Sequence, residues 1–264
     1  MVEVKKELHI TRLNTLWKCG EQYRRRYIQG EIIPPGIALL IGSATHQTIE
    51  SDLKQKIETG ILLPDDVITD MAADKVKGLW QRGVKLEEGE SPKKSKGLVV
   101  DFAVACSTAH HKVIAPVIKP ISVEDEFKFT IEDSDWTIAG TSDIEEELPD
   151  GEIGLRDTKT AARKPAAGVA DNSVQLTMYA LKILKQKGKY PKKVAIDFLV
   201  KNKNADVVTQ VSTRSDRHIA PLLAKISAAI KQLDAGIFPP CNQDNWWCDP
   251  RWCGYFSTCK YVSK

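Results

Sequence analysis

Two aspartates and a lysine, Asp143, Asp157 and Lys159, fall within a stretch from Trp136 to Thr160 that reads W-T-I-A-G-T-S-D-I-E-E-E-L-P-D-G-E-I-G-L-R-D-T-K-T. Apolar-studded runs flank Leu148-Pro149-Asp150-Gly151, a Pro/Asp/Gly cluster that predicts the turn of a β-hairpin. Asp143 lies seven residues before Asp150 and Asp157 seven after it. A hairpin folded near its middle therefore sets the two aspartates opposite each other on neighbouring strands. Lys159 follows Asp157 by two residues, and strand alternation puts both on one face. Closely spaced carboxylates repel each other. A hard divalent cation such as Mg²⁺ relieves the repulsion and keeps coordination sites open for water and phosphate oxygens. It can acidify that water and offset charge building on a phosphodiester, while a neighbouring lysine orients the water or stabilises the same charge. On these residues alone, the alternative is a solvated acidic hairpin with an ordinary surface lysine.

A second set of chemically active side chains occupies the C-terminal stretch C-N-Q-D-N-W-W-C-D-P-R-W-C-G-Y-F-S-T-C-K-Y-V. Cys248, Cys253 and Cys259 crowd into twelve residues, Cys241 lies just upstream, and Trp246, Trp247, Trp252, Tyr255 and Phe256 stand between them. Soft thiolates suit zinc or an iron–sulfur cluster. Three ligands need a fourth, and Cys19, from the other end of the sequence, is the candidate. The alternative is a tail of free, reduced cysteines. Cys106 lies inside a helical pattern and reads as a small core residue.

Helices and strands must position these groups. Leu13, Leu16, Trp17, Tyr23 and Tyr27 predict a helical stretch over 11–29, interrupted at Cys19-Gly20. Pro34-Pro35-Gly36 breaks the chain. Ser43 is the expected cap of a helix that runs to Gly60 and carries His46 in its first turn, beside Gly42. A lone histidine there reads as structural unless other ligands join it. Further helices are expected near 65–82 and 98–114; His110 and His111, adjacent in the second, point to different faces and make a poor chelate. From Ile121 the pattern alternates as a strand, which with the hairpin gives a three-strand meander. A helix from about 172 to 187 ends at Gly188 and puts Gln175 and Tyr179 on one face. Strands at 194–200 and 206–212 and a helix from about 216 to 235 complete the series. The expected core is helix, three antiparallel strands, helix, strand: an α/β sandwich with extra helices before it.

The 264 residues, 42% hydrophobic and 28% charged, suit one sizeable core. No run approaches the roughly 20 apolar residues that cross a bilayer, and M-V-E-V-K-K-E-L-H-I lacks the apolar core of a signal peptide. We therefore expect an intracellular, cytoplasmic protein with no membrane partner and with its six cysteines reduced or metal-bound. A net charge of +3 does not by itself imply nucleic acid. Clusters such as Arg24-Arg25-Arg26 and the lysines at 185, 187, 189, 192 and 193 read as solvated faces until a site is placed among them. No G-x-x-x-x-G-K-[ST] loop is present, so the chain carries no P-loop motor.

Four motifs occur in order: G-x-x-x-H at Gly42–His46, G-x-x-D at Gly140–Asp143, D-x-K at Asp157–Lys159 and Q-x-x-x-Y at Gln175–Tyr179. Together they resemble the RecB-like branch of the PD-(D/E)xK nuclease superfamily. The split cysteines look like its iron–sulfur subgroup, which includes AddB-type nuclease domains, RecB-type nucleases of CRISPR adaptation and many phage exonucleases. The resemblance spans roughly residues 11–260. It implies the restriction-endonuclease-like α-βββ-α-β core in a single nuclease domain, 1–264. Residues 36–118 would form a helical portion, 119–212 the catalytic sheet, and 213–264 a C-terminal helix and cysteine-rich tail that pairs with Cys19.

The resemblance further implies ligation of Mg²⁺ or Mn²⁺ by His46, Asp143, Asp157 and the Thr158 carbonyl. Lys159 would act on the attacking water, and Gln175 and Tyr179 would support the site or touch DNA. Cys19, Cys248, Cys253 and Cys259 would hold a 4Fe–4S cluster whose part is structural, since it closes a very long loop. Two departures stand out. Asp157 replaces the Glu of many relatives, and the spacing 248-x4-253-x5-259 differs from the usual C-x2-C-x5-C, which leaves zinc or Cys241 open. The activity expected is that of a metal-dependent DNA exonuclease acting on single strands or ends in recombination, repair or phage DNA processing. A narrower variant processes ends for an integrase or annealing partner. The rival from another class is a non-catalytic DNA-binding or assembly module built on the metal–thiolate site.

Overall fold

The computed structural model describes residues 6–87, 89–131 and 134–262. In chain order the elements are β1 (Glu7–His9), α1 (Ile10–Lys18), α2 (Gly20–Tyr23), a π-helical turn (Arg24–Ile28), α3 (Ile37–Thr59), α4 (Asp65–Gln81) and α5 (Pro92–Val113). There follow β2 (Pro120–Thr130), β3 (Thr137–Glu147), β4 (Ile153–Ala161), α6 (Val174–Lys187), β5 (Lys193–Val200), β6 (Asp206–Ser212), α7 (Asp216–Asp234) and a 3₁₀ turn (Phe256–Thr258). The chain divides into two compact units, the larger made of residues 34–126 and 141–219, the smaller of 1–33, 127–140 and 220–264. Among the described residues, no helix is long and apolar enough to cross a membrane.

In the larger unit β3 pairs antiparallel with β4, β4 parallel with β5, and β5 antiparallel with β6; β2 pairs with β3. The mixed α/β sheet is the one the expected core requires. After its first residue β5 is buried throughout, with α5 on it and α6 on it, which is why K-V-A-I-D-F-L-V is apolar without alternation. Asp197, buried in this strand, is matched by Arg156 at 2.8 and 3.0 Å and by Thr209 Oγ1 at 2.6 Å. One core cluster joins Ile49 and Leu53 of α3 to Cys106, Ile144 and Leu199, and burial pushes the Cys106 thiol up to about 11. A second packs Leu40, Ile41 and Ala44 against Val76, Val99 and Ala103.

Ser43 does not cap α3. The helix starts at Ile37 after Gly36, so Ser43 lies two turns inside it, and the apolar run before it is helix rather than connection. The reason is packing: Leu40 and Ile41 cover α4 and α5, and Gly36 already supplies the extended backbone of a cap. Likewise α5 begins at Pro92, a residue suited to a first helical turn, ahead of the expected 98. His111 is a tie between helices, with Nδ1 2.7 Å from Asp52 and Nε2 3.2 Å from Asp65. His110 is fully buried, which lowers its pKa to about 3 and keeps it neutral.

In the smaller unit β1, which the sequence reading does not anticipate, runs parallel to Thr137–Ala139 of β3. Cys19 adopts an extended conformation between α1 and α2, and the expected helix over 11–29 is broken there as its Cys19-Gly20 pair suggested. Gly20 N–H donates to the Pro239 carbonyl at 2.8 Å, joining the α1–α2 junction to the segment after α7. Gly140 is needed for another reason: a Cβ there would meet the Phe127 ring at 2.7 Å, which accounts for the glycine of G-x-x-D.

Candidate active site

The hairpin turns where its sequence directs. Gly151 takes φ +78, Gly151 N–H donates to the Leu148 carbonyl at 2.8 Å, and Leu148 N–H donates to the Glu152 carbonyl at 2.8 Å. The pairs run from Glu147↔Ile153 to Ile144↔Arg156, and one further step sets Asp143 opposite Asp157. There the two strands no longer form a main-chain pair. Asp143 Oδ2 instead accepts the Thr158 N–H at 3.0 Å, so a carboxylate fills the opening.

Around that opening runs a closed series of hydrogen bonds, all within the larger unit. Lys159 Nζ donates to Asp157 Oδ1 at 3.0 Å and to Gln175 Oε1 at 2.8 Å. Gln175 Nε2 donates to the Tyr179 hydroxyl at 2.5 Å, and that hydroxyl donates to Asp143 Oδ1 at 3.3 Å. The four-residue spacing of Gln175 and Tyr179 on α6 is what lets one helix face bridge the lysine and the aspartate. Ser173 caps α6 by accepting the Leu176 N–H, and Arg214 Nε donates to Thr177 Oγ1 at 2.9 Å, so the helix start is fixed.

From the other side α3 brings His46. Its Nδ1 lies 3.5 Å from Asp143 Oδ2 and 3.7 Å from Glu124 Oε1. Among the described residues, His46, Glu124 and Asp143 form the one group of three His, Cys, Asp or Glu side chains whose ligand atoms all lie within 4.8 Å of one another. A Cβ added at Gly42, one turn earlier on α3, would meet Thr160 Oγ1 of β4 at 3.5 Å, and α3 packs against β4.

The electrostatics are those of a site short of positive charge. Burial, followed by the charge of Asp143, raises the Asp157 pKa to about 8, and the contact with Lys159 only partly offsets this. Asp157 is fully buried; its Oδ2 lies 2.9 Å from Lys159 Nζ yet is not aligned as a hydrogen-bond acceptor. Burial opposes charge on His46, but Glu124, Asp143 and Asp157 outweigh it and raise its pKa. Burial and the same aspartates raise the Tyr179 pKa, so its hydroxyl stays protonated and keeps donating.

The sequence model of the PD-(D/E)XK nuclease superfamily matches residues 7–260. The chain belongs to this superfamily. Membership makes it a nuclease that hydrolyses phosphodiesters, with DNA as the substrate it implies, and such nucleases generally use divalent metals. A crystal structure of a candidate exonuclease from Eubacterium rectale is similar at a TM-score of 0.59 and 12% identity, covering 98% of this chain and 90% of that one. At this identity the likeness is one of fold. The structure of SSO0001 covers 100% of this chain and 90% of its own at 10% identity, but its TM-score of 0.48 carries no argument. No curated protein matches the sequence.

In this nuclease every residue singled out around the hairpin, His46, Asp143, Asp157, Thr158, Lys159, Gln175 and Tyr179, comes to one place. Glu124 was missed. It is one of three acids in the strand stretch V-E-D-E, and its backbone takes φ +50, a conformation no sequence pattern marks for glutamate.

In the smaller unit Cys19, Cys241, Cys248, Cys253 and Cys259 line one cavity with Trp247 and Tyr255. The Cys241 N–H donates to the Cys19 thiol at 3.4 Å. Burial raises the Cys253 pKa, and Cys19, Cys248 and Cys259 add to it; Cys241 is pushed up to about 12 by burial, then by Cys19. Arg25 braces the tail through the Tyr255 carbonyl at 3.3 Å and Thr258 Oγ1 at 2.8 Å, while Arg24 pairs with Glu21 at 2.7 Å. Two of the three clustered arginines are thus occupied by internal partners.

Proposed function

We propose that the protein is a RecB-like, Mg²⁺- or Mn²⁺-dependent deoxyribonuclease that removes nucleotides from single-stranded DNA or DNA ends in recombination, repair or phage DNA processing. The observation that carries this reading is the meeting of His46, Glu124, Asp143 and Asp157 beside Lys159, each delivered by a different element except the last two. His46 Nδ1 stands 3.5 and 3.7 Å from two carboxylate oxygens, too far for good hydrogen bonds and suited to a cation between them. The donor set, an imidazole with hard oxygens to which the Thr158 carbonyl would add another, fits Mg²⁺ or Mn²⁺. The cation supplies Lewis acidity, offsetting charge on the phosphodiester and acidifying water.

The chain's own groups then have distinct parts. An ammonium has three donors; Lys159 gives one to Asp157 and one to Gln175, which leaves one to act on the attacking water or a phosphate oxygen. Gln175 and Tyr179 hold the lysine and Asp143 in register. The 264 residues act as one nuclease domain, cytoplasmic in its setting, in which an integrase or annealing protein is the partner to seek. With Mn²⁺, end-labelled linear single strands should be shortened from an end while circular single strands persist. Absence of cleavage with every divalent metal tried, in protein with its thiolate site intact, would refute the enzyme and leave the non-catalytic binding module.

For the tail we propose a 4Fe–4S cluster on Cys19, Cys248, Cys253 and Cys259. Zn–S bonds of about 2.3 Å place tetrahedral thiolates ~3.8 Å apart. Outside the His46 group, no three such ligand atoms among the described residues lie within 4.8 Å. That spacing favours a cluster over one ion. Protein purified without oxygen should be brown, with a broad band near ~400 nm. Cys19→Ser should lose the band and Cys241→Ser keep it; colourless protein containing stoichiometric zinc would overturn the assignment.

A further inference from the structure

Given the divalent-metal reading above, we propose that Lys182 is a positioning residue for the metal site, holding Glu124 and Asp143 through the residues beside them. Lys182 follows Tyr179 by three positions on α6, so it continues the face that carries Gln175 and Tyr179. It is 1% exposed, and an ammonium so buried is strongly destabilising unless well paired. Its partners are specific. It donates to the Asp125 carboxylate, to Ser142 Oγ at 2.8 Å and to the Glu145 carboxylate.

Asp125 follows Glu124 in the chain, and Ser142 precedes Asp143. The Ser142 hydroxyl also contacts the Asp125 carbonyl at 3.3 Å, so the two strands are tied at this level by side chain and main chain together. Glu124 holds φ +50, a sparsely populated conformation that persists only where surroundings over-determine it. Lys182 and Ser142 supply that constraint. Without them Glu124 relaxes toward ordinary strand geometry, which turns its carboxylate out of the site.

The test measures Mn²⁺ binding from the loss of the free-ion paramagnetic signal, using full-length protein. Lys182→Met should weaken Mn²⁺ binding about tenfold and raise the Mn²⁺ needed for half-maximal cleavage by the same factor, with KM for DNA unchanged. Because that variant strands two carboxylates, Lys182→Met/Asp125→Asn/Glu145→Gln removes the charge imbalance; it should fold as the wild type does and still bind Mn²⁺ weakly. Glu126→Gln, an exposed neighbour, should change nothing. Wild-type Mn²⁺ affinity in either folded lysine variant overturns the proposal, as does loss of folding in both. Asp143→Asn separates the two levels. If it abolishes Mn²⁺ binding while the lysine variants bind normally, only the role of Lys182 falls; if it too binds Mn²⁺ normally, the metal-site reading falls and takes Lys182 with it.

Discussion

Lys159→Ala will lower the rate of DNA cleavage by on the order of 10²–10³-fold, the usual cost of removing one preorganised donor to developing charge. Asp157→Ala will reduce it to background, because it removes both a proposed metal ligand and the anchor of Lys159 Nζ at 3.0 Å. Neither loss should come from unfolding. The Lys159 side chain is 40% exposed, so truncating it leaves no sealed cavity. Asp157 is a buried carboxyl whose charge its surroundings resist, and such a residue is held for function against stability. Initial rates on end-labelled single strands at saturating Mn²⁺, beside thermal midpoints, decide the matter. Activity within about threefold of wild type in folded Lys159→Ala would remove the lysine from the chemistry.

Metal affinity will rise with pH. Burial and Asp143 lift the Asp157 pKa to about 8, so the metal-free site holds a proton at neutral pH that an incoming cation must displace. Below about pH 8 the Mn²⁺ affinity should fall by at least about tenfold per pH unit, with about one proton released per ion bound from Asp157 and more from His46, whose pKa the same acids raise. Calorimetry in buffers of different ionisation enthalpy reads those protons directly, and the Asp157 share should vanish above its pKa. The same shift fixes the sign for stability. A carboxyl raised from 3.8 to about 8 leaves the folded metal-free chain holding one more proton than the unfolded chain between those values. Stability from this group is therefore complete below the lower value and is lost as pH rises through the upper one. Asp157→Asn should flatten that decline, and pH-independent Mn²⁺ binding would show that Asp157 is ionised before the metal arrives.

Much of the site was legible because its key relations are local. A turn at Leu148–Gly151 with equal arms sets Asp143 against Asp157 whatever the rest of the chain does, since hairpin register follows from the turn. Gln175 and Tyr179 share a face by helix geometry alone, and α3 and α6 end where glycines take φ +79 and +70. The clustered cysteines were legible as a set, and Cys19, Cys241, Cys248, Cys253 and Cys259 do line one cavity.

Other features belong to the tertiary structure. That β3 and β4 part at Asp143, so that its carboxylate takes the Thr158 N–H, depends on what packs against both strands. Glu124 enters the site through a left-handed backbone in mid-strand, which alternation forbids and only its surroundings sustain. The placement of Ser43 inside α3, the pairing of β1 with β3, and the reach of Lys182 to Asp125, Ser142 and Glu145 join residues far apart in the chain. Periodicity describes which face of its own element a residue occupies; which other element meets that face is settled by packing, and for Glu124 and Lys182 that packing made the difference.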